Sequence, residues 1–465
     1  MQTTVASPME WALREFGNAD LGDIRRSRRL LTVASELSKG CHGTLPDTFS
    51  NWAQLKAAYR FLENPSISYQ QIIEPHWTAT RDACRRRGEC LLIEDTTALD
   101  FTGRAAQDMG MIGDGRGRGI LVHSTLALRI DHWSHDHQPQ VTVEGLLGQQ
   151  CWRRPMTART KPHKKRKRRP GDPCESDRWA AVLQKTGRPP EAVRWTLVAD
   201  RESDMYESFE RCGDMNVDFI IRAAQQRVLV GQDRYLFDAV ARQRALGRFI
   251  LKLRARQGQR ARDAIVEIRA LAVTLRGAQR PGGKRPDFPV TVVEAREVQA
   301  PAGTIPIHWV LLSSWTCNTF EQALRTIRAY ACRWLIEEYH KALKSGVHVQ
   351  ESQLQTADRI ESLLGILAVL AVRLLNAKLL AITCPDQPVD LDDMGPQAMA
   401  VLESQLGKPP EGWTCRTAVR AIARLGGFIG RRGDGEPGWQ TIWRGFQKLM
   451  VLAEGYNLGR SDKCG

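Results

Sequence analysis

The chain has 465 residues, too many for one hydrophobic core, and its 42% hydrophobic and 26% charged content is that of a soluble globular protein with several domains. A formal charge of +15, from 67 basic and 52 acidic residues, points to a polyanionic partner, nucleic acid before membrane. Eleven dispersed cysteines with no CxxC pair exclude a disulfide framework and a zinc ribbon, and predict free thiols in a reducing cytoplasm.

Residues 1–16 carry Glu10, Arg14 and Glu15 and have no apolar core, unlike a signal peptide. Residues 7–70 read as a compact helical unit, with helical spacing at 11–16, 29–37 and 52–62 between Gly- and Pro-containing turns. Arg25, Arg26, Arg28 and Arg29 crowd the second helix, and Lys39 and Arg60 add to the positive field. Such clusters often sit on a solvated face. In a chain this basic, a DNA-contacting module is the better reading.

Cys90-Leu-Leu-Ile-Glu94-Asp95-Thr96-Thr97 reads as a buried strand that delivers Asp95 at its carboxyl end. A helix-capping aspartate is the plainer alternative. Gly113-Asp-Gly-Arg-Gly-Arg-Gly119 lacks the strand-to-helix setting of a nucleotide loop and is expected to be a hairpin between strands. Strands at 120–130 and 141–147 complete a three-stranded antiparallel start. Asp131-His-Trp-Ser-His-Asp-His137 resembles a metal cluster in content only, because the ligand spacing is irregular. Lys161-Pro-His-Lys-Lys-Arg-Lys-Arg-Arg169, near Trp152, Arg153 and Arg154, suits backbone contact with nucleic acid.

A helix is expected at 179–185, and then Val193-Arg-Trp-Thr-Leu-Val-Ala-Asp200 repeats the pattern of an apolar strand ending on an aspartate. A strand at 217–223 carries Arg222. From about 228 to 302 alternating strands (249–253, 264–268, 271–275 and 290–293) suggest a β-rich insertion, after which the main sheet resumes at 307–312 with Trp309. A long apolar helix is expected at 360–380. Its most apolar run, 363–372, is too short to cross a bilayer and reads as buried. Helices at 417–425 and 439–453 form a small C-terminal unit.

Between these lies Tyr330-Ala-Cys-Arg-Trp-Leu-Ile-Glu337-Glu-Tyr-His-Lys341-Ala-Leu-Lys344. On a continuous helix at about 100° per residue, Tyr330, Arg333, Glu337, Lys341 and Lys344 fall within roughly 80° of one another. A lone carboxylate among cations and a phenol suits a metal ion beside a phosphate. Solvated i,i+4 ion pairs are the plainer reading.

The order strand–Asp, strand–Asp, β-insertion, helix–Glu resembles a ribonuclease-H-like mixed α/β core. Tyr330-x2-Arg333-x3-Glu337-x6-Lys344 resembles the Tyr-Arg-Glu-Lys signature of DDE cut-and-paste transposases of bacterial insertion sequences, in the insertion-sequence-four group and its transposon-five branch. Leu21-Gly-Asp and Ala58-Tyr-Arg60-Phe resemble that group's DNA-binding region. Glu94-Asp95-Thr-Thr and Asp200-Arg-Glu resemble its first two acidic motifs, and Ala421-Ile-Ala-Arg-Leu-Gly-Gly-Phe428 resembles its dimer-forming region. Cys332 stands where the branch has a histidine, at a variable position of the signature.

The resemblance implies a helical DNA-binding domain at 1–70, a catalytic domain at 71–375 and a helical dimerisation domain at 376–465. Asp95, Asp200 and Glu337 would hold two Mg²⁺ ions, replaceable by Mn²⁺. Hard oxygen ligands with open positions suit those ions. Tyr330, Arg333 and Lys344 would grip the phosphate with Lys341 alongside, and Trp309 would stack on a flipped base. Arg29, Lys39, Arg60 and Arg222 would contact DNA. The implied reactions are nicking, hairpin formation, hairpin opening and joining of 3′ ends to target DNA, by a homodimer on double-stranded DNA. A catalytically silent DNA-binding regulator is the alternative, and a ribonuclease-H-like repair nuclease would not call for the Tyr330, Arg333 and Lys344 grip.

Overall fold

A computed structural model of the chain describes residues 8–39, 44–86, 88–156, 182–231, 235–253, 262–280, 283–389, 396–431 and 434–461. The basic run at 161–169 lies outside the described residues, as do 179–181 of the helix expected there.

The chain opens with helices α1 (Pro8–Phe16), α2 (Ile24–Lys39), α3 (Leu45–Thr48), α4 (Trp52–Leu62) and α5 (Tyr69–Cys84). Their starts are written in the sequence: Asn51 caps α4, and Ser68 with Gln71 forms a capping box on α5. Trp11, Phe16, Leu30 and Phe61 are buried between them.

Four strands follow: β1 (Gly88–Asp100), β2 (Gly110–Ile112), β3 (Gly117–Trp133) and β4 (Pro139–Trp152). The glycine-rich stretch is the β2–β3 turn, where Gly113 and Gly115 adopt positive φ, as a hairpin turn requires. Next come β5 (Val193–Ala199), α6 (Tyr206–Asp214), β6 (Asp218–Arg222), α7 (Leu236–Ala241), β7 (Gly247–Leu253), β8 (Arg262–Leu275), β9 (Phe288–Val298) and β10 (His308–Ser313). Helices α8 (Phe320–Ala331), α9 (Trp334–Lys341), α10 (Ala357–Thr383), α11 (Pro396–Leu406), α12 (Cys415–Leu425) and α13 (Trp439–Ser461) complete the described chain.

One mixed sheet of ten strands organises the protein, in the order β2-β3-β1-β5-β6-β10-β9-β8-β7, with β4 also on β3. β1, β5 and β6 run parallel, and every other pairing is antiparallel. Residues alternate between two cores, as strand geometry demands. Ile93, Val198, Ile220 and Leu311 face the core that takes in α8 to α10, and Leu92, Leu197, Ile221 and Leu312 face the opposite one.

Several expectations change. Strands β7 to β9, the β-rich stretch, do not form a sheet of their own: β9 pairs with β10, so the stretch extends the main sheet. The two strands expected at 264–268 and 271–275 are one, β8, since polar Arg269 interrupts the alternation but not the ladder. α10 spans 27 residues, long and apolar enough to cross a membrane, yet 67% of its most apolar window is buried within the fold. It is the central helix between the sheet and both helical ends.

Candidate active site

The parallel register of β1 and β5 ends at Ile93 opposite Val198. Asp95 stands two residues further along β1, on the same face as Ile93 because strand side chains repeat every second residue, and Asp200 directly follows Ala199, the last residue of β5. Asp95 is not at its strand's end: β1 continues to Asp100, with Asp95 opposite Ser124 of β3. It ends the parallel pairing instead, which is what opens the sheet beside it. Asp200 leaves the sheet and caps the short turn Arg201–Ser203, accepting the Glu202 N–H at 2.8 Å. The capping role weighed for Asp95 thus belongs to Asp200, whose charge still acts on Asp95, while Asp95 itself lies within a strand.

Arg222 and Trp309 belong to the same face, by parity with Ile220 and Leu311. Trp309 meets Tyr330 edge to face, with centroids 5.4 Å apart at 65°. Burial raises the Tyr330 hydroxyl pKa and lowers that of Arg222, which stands next to it.

The signature segment is not one straight helix. Thr319 and Gln322 box the start of α8, which ends at Ala331. A tightened turn follows, in which Arg333 N–H donates to Tyr330 O and Leu335 N–H to Cys332 O, and α9 then carries Glu337. After Lys341 the chain widens into a π-turn, Ala342–Gly346, which holds Lys344. The widening changes which lysine faces inward. Lys344 is half-buried, and its charge feels Asp95 and Asp100. Lys341 is exposed, bonded to Glu338 at 2.9 Å and set 4.6 Å over the Trp334 ring. It does not join Tyr330, Arg333 and Lys344 as a continuous helix would have had it. π-turns inside helices frequently mark functional sites.

Arg333 is the hub. Its guanidinium bonds the Glu337 carboxylate, and Nη1 lies 3.9 Å from Asp95 Oδ2. Burial, together with the charges of Asp200 and Glu337, pushes the Asp95 pKa up to about 6 against the opposing pull of Arg333. Asp200 and Glu337 thus lie near enough to Asp95 for their charges to act on it. Among the described residues, no three His, Cys, Asp or Glu side chains stand close enough together to hold a metal ion as they are. The donor set nonetheless fits a hard divalent cation in kind: three carboxylates, of which Asp95 is destabilised as an anion by burial and by the charges of the other two.

The sequence reading passed over His340, three residues beyond Glu337. Its Nδ1 lies 3.7 Å from Asp95 Oδ2, and burial holds its pKa down to about 3, with Lys344, His123 and Arg333 adding to the effect. The i,i+3 spacing from Glu337 was the available signal. Arg29 and Lys39 lie on α2 and Arg60 on α4, apart from the elements that build the carboxylate cluster. Lys39 is paired with Glu36 at 2.9 Å, whereas Arg60 is exposed.

Comparison with known families matches three segments in chain order. Residues 8–67 match a transposase DNA-binding family, 157–373 a transposase DDE domain, and 398–464 the transposase Tn5 dimerisation domain. Asp200, Arg222, Trp309 and the whole signature from Tyr330 to Lys344 fall inside the DDE match, while Asp95 precedes it. The ten-stranded mixed sheet between helical ends is accordingly a ribonuclease-H-like catalytic core. With a DNA-binding unit, a DDE domain and a Tn5-type dimerisation unit in that order, the chain belongs to the Tn5-like DDE transposases of the insertion-sequence-four group.

Proposed function

We propose that this transposase excises its element by cutting both DNA strands at the terminal inverted repeats and joins the freed 3′ ends to target DNA. Asp95, Asp200 and Glu337 hold Mg²⁺, two ions per site, with Mn²⁺ as a substitute. The observation that carries this reading is that Arg333 joins Asp95 and Glu337 while the charges of Asp200 and Glu337 act on Asp95, in a chain with a DDE domain. Bound there, the ions would lower the pKa of the attacking water or hydroxyl and neutralise the leaving 3′ oxygen.

The protein's own groups do the remainder. Arg333 presents a planar fork that matches phosphate oxygens as well as it matches the Glu337 carboxylate, and Lys344 adds a second cation as charge grows in the transition state. Tyr330, held by Trp309 and Arg222, orients the phosphate. One such site serves nicking, attack of the 3′ hydroxyl on the opposite strand, hairpin opening and joining. Trp309 supports the bent strand by stacking on a flipped base, a contact of about 1–3 kcal/mol. Arg29, Lys39 and Arg60 grip the ends, and a homodimer brings two ends together so that each is cut in trans.

The test is incubation of the protein with Mg²⁺ and its own inverted-repeat DNA. Double-strand cleavage that Asp95→Asn eliminates is expected. End binding without cleavage by the parent protein would instead make it a regulator.

A further inference from the structure

Glu338, next in sequence to Glu337, turns away from the carboxylate cluster and makes the densest set of contacts on α9. Its Oε1 accepts from Lys341 Nζ at 2.9 Å. Its Oε2 accepts from Lys378 Nζ of α10 at 2.9 Å and from Trp439 Nε1 of α13 at 3.1 Å. Lys378 Nζ also lies 4.1 Å over the Trp439 ring, which closes a three-membered cluster of carboxylate, ammonium and indole. Burial opposes the Glu338 charge, and the two lysines outweigh it and lower its pKa. The same region of the C-terminal unit reaches the π-turn: Ser345 lines a cleft with Phe428, Trp439 and Thr441. Trp439 opens the last helix of the unit that matches the Tn5 dimerisation domain.

We infer that Glu338 is a positioning residue for the cleavage reaction, pinning the helix that carries Glu337 to the dimerisation unit through Lys378 and Trp439. The physical argument is one of leverage. α9 has only eight residues and is bounded by a tightened turn and a π-turn, so its own ladder fixes it weakly. The side chain beside Glu337 ties α9 by a part-buried, charge-assisted contact to a long helix and to the C-terminal unit. Glu337 therefore meets its partner carboxylates in the right place only while that unit is docked, which ties the chemistry to the assembly state of the C-terminal unit. The inference rests on the proposed role of Glu337 as a metal ligand.

Two conservative variants isolate the pin in the full-length protein. Trp439→Phe keeps a ring under Lys378 and loses the indole N–H, and Glu338→Gln keeps an acceptor but loses the charge. The first measurement is amide hydrogen exchange without metal or DNA. Residues 334–346 should exchange about tenfold faster in each variant, the scale of one hydrogen bond to a charged group. The control is Lys408→Ala, a surface change on the same unit, which should leave those amides as they are. Unchanged exchange over 334–346 in both variants, or equal acceleration throughout the chain, would overturn the inference. The second measurement is cleavage against Mg²⁺ concentration. The half-maximal concentration should rise about tenfold while the rate at saturating metal stays within about twofold, as expected when ligand placement rather than chemistry is lost. An unchanged half-maximal concentration would also count against the pin. A parent protein that does not cleave at all would sink the proposed function and leave the exchange result to decide the pin alone.

Discussion

Two regions of one sheet carry the same ingredients and treat them oppositely. At the β7–β9 end, the three buried glutamates have basic partners. Glu267 is bonded by Arg248 at 2.8 Å and by Arg269, Glu294 by Arg269 at 3.1 Å and His308 at 2.8 Å, and Glu297 by Arg262. Where the parallel pairing of β1 and β5 ends, Asp95 shares Arg333 with Glu337 and feels the like charges of Asp200 and Glu337, and burial with those charges takes its pKa up to about 6. The first end is a solved electrostatic problem, whose arginines hold strands in register. The second is left short of positive charge. A folded protein sustains such a deficit where something cationic is to be bound, and the contrast within one sheet locates the chemistry better than the carboxylates alone.

The contrast can be broken experimentally, beginning with its largest consequence. Asp200→Asn should lower double-strand cleavage by on the order of 10³-fold or more while leaving end binding intact, because the groups of such a site act as a unit. Measurable cleavage near the parent rate, with the same end affinity, would remove Asp200 from the site.

Arg333→Lys comes next. It keeps the charge but not the fork, and should cost about 10²-fold in cleavage rate at saturating metal. A near-parent rate would mean that charge alone suffices.

The third consequence is thermodynamic. Asp95 in the folded protein titrates at about 6, above the roughly 3.9 of an unfolded chain. Between those values the folded state binds a proton that the unfolded chain has released, so this stabilisation is full at low pH and is lost as pH rises through 6. At about 1.4 kcal/mol per unit, the loss is roughly 3 kcal/mol. Urea unfolding of metal-free protein should show that decline relative to Asp95→Asn, which should gain stability on the parent above about pH 6. Parallel profiles would deny the deficit. The smallest effect belongs to the satisfied end: Arg248, whose side chain is 60% exposed, should cost under about 1 kcal/mol when replaced by alanine, with cleavage unchanged.

The sequence made the elements legible where periodicity is local. The capped helices, the β1 to β4 run and the apolar strand before Asp200 all follow from spacing and turn residues. It also yielded Asp95, Asp200 and Glu337 as a set, since the family signature is a pattern of residue types. What it hid were departures from regularity. Nothing in Ala331 to Lys344 announces that a tightened turn and then a π-turn rotate Lys341 out and Lys344 in, because both depend on packing against α10 and the C-terminal unit. That the β7–β9 stretch continues the main sheet was hidden because strand pairing is non-local, and β9 finds β10 only through the register of the finished sheet. The contacts of Glu338 were hidden for the same reason: Lys378 and Trp439 are remote in the chain.

The most direct test of the central claim is a ligand swap at Asp200. A thiolate binds Mg²⁺ poorly and accepts the softer Mn²⁺ better. Asp200→Cys should therefore be inactive on end DNA in Mg²⁺ and recover cleavage in Mn²⁺, with the parent active in both. Equal activity of the variant in the two metals, or inactivity in both with end binding intact, would contradict the claim that this carboxylate holds the ion.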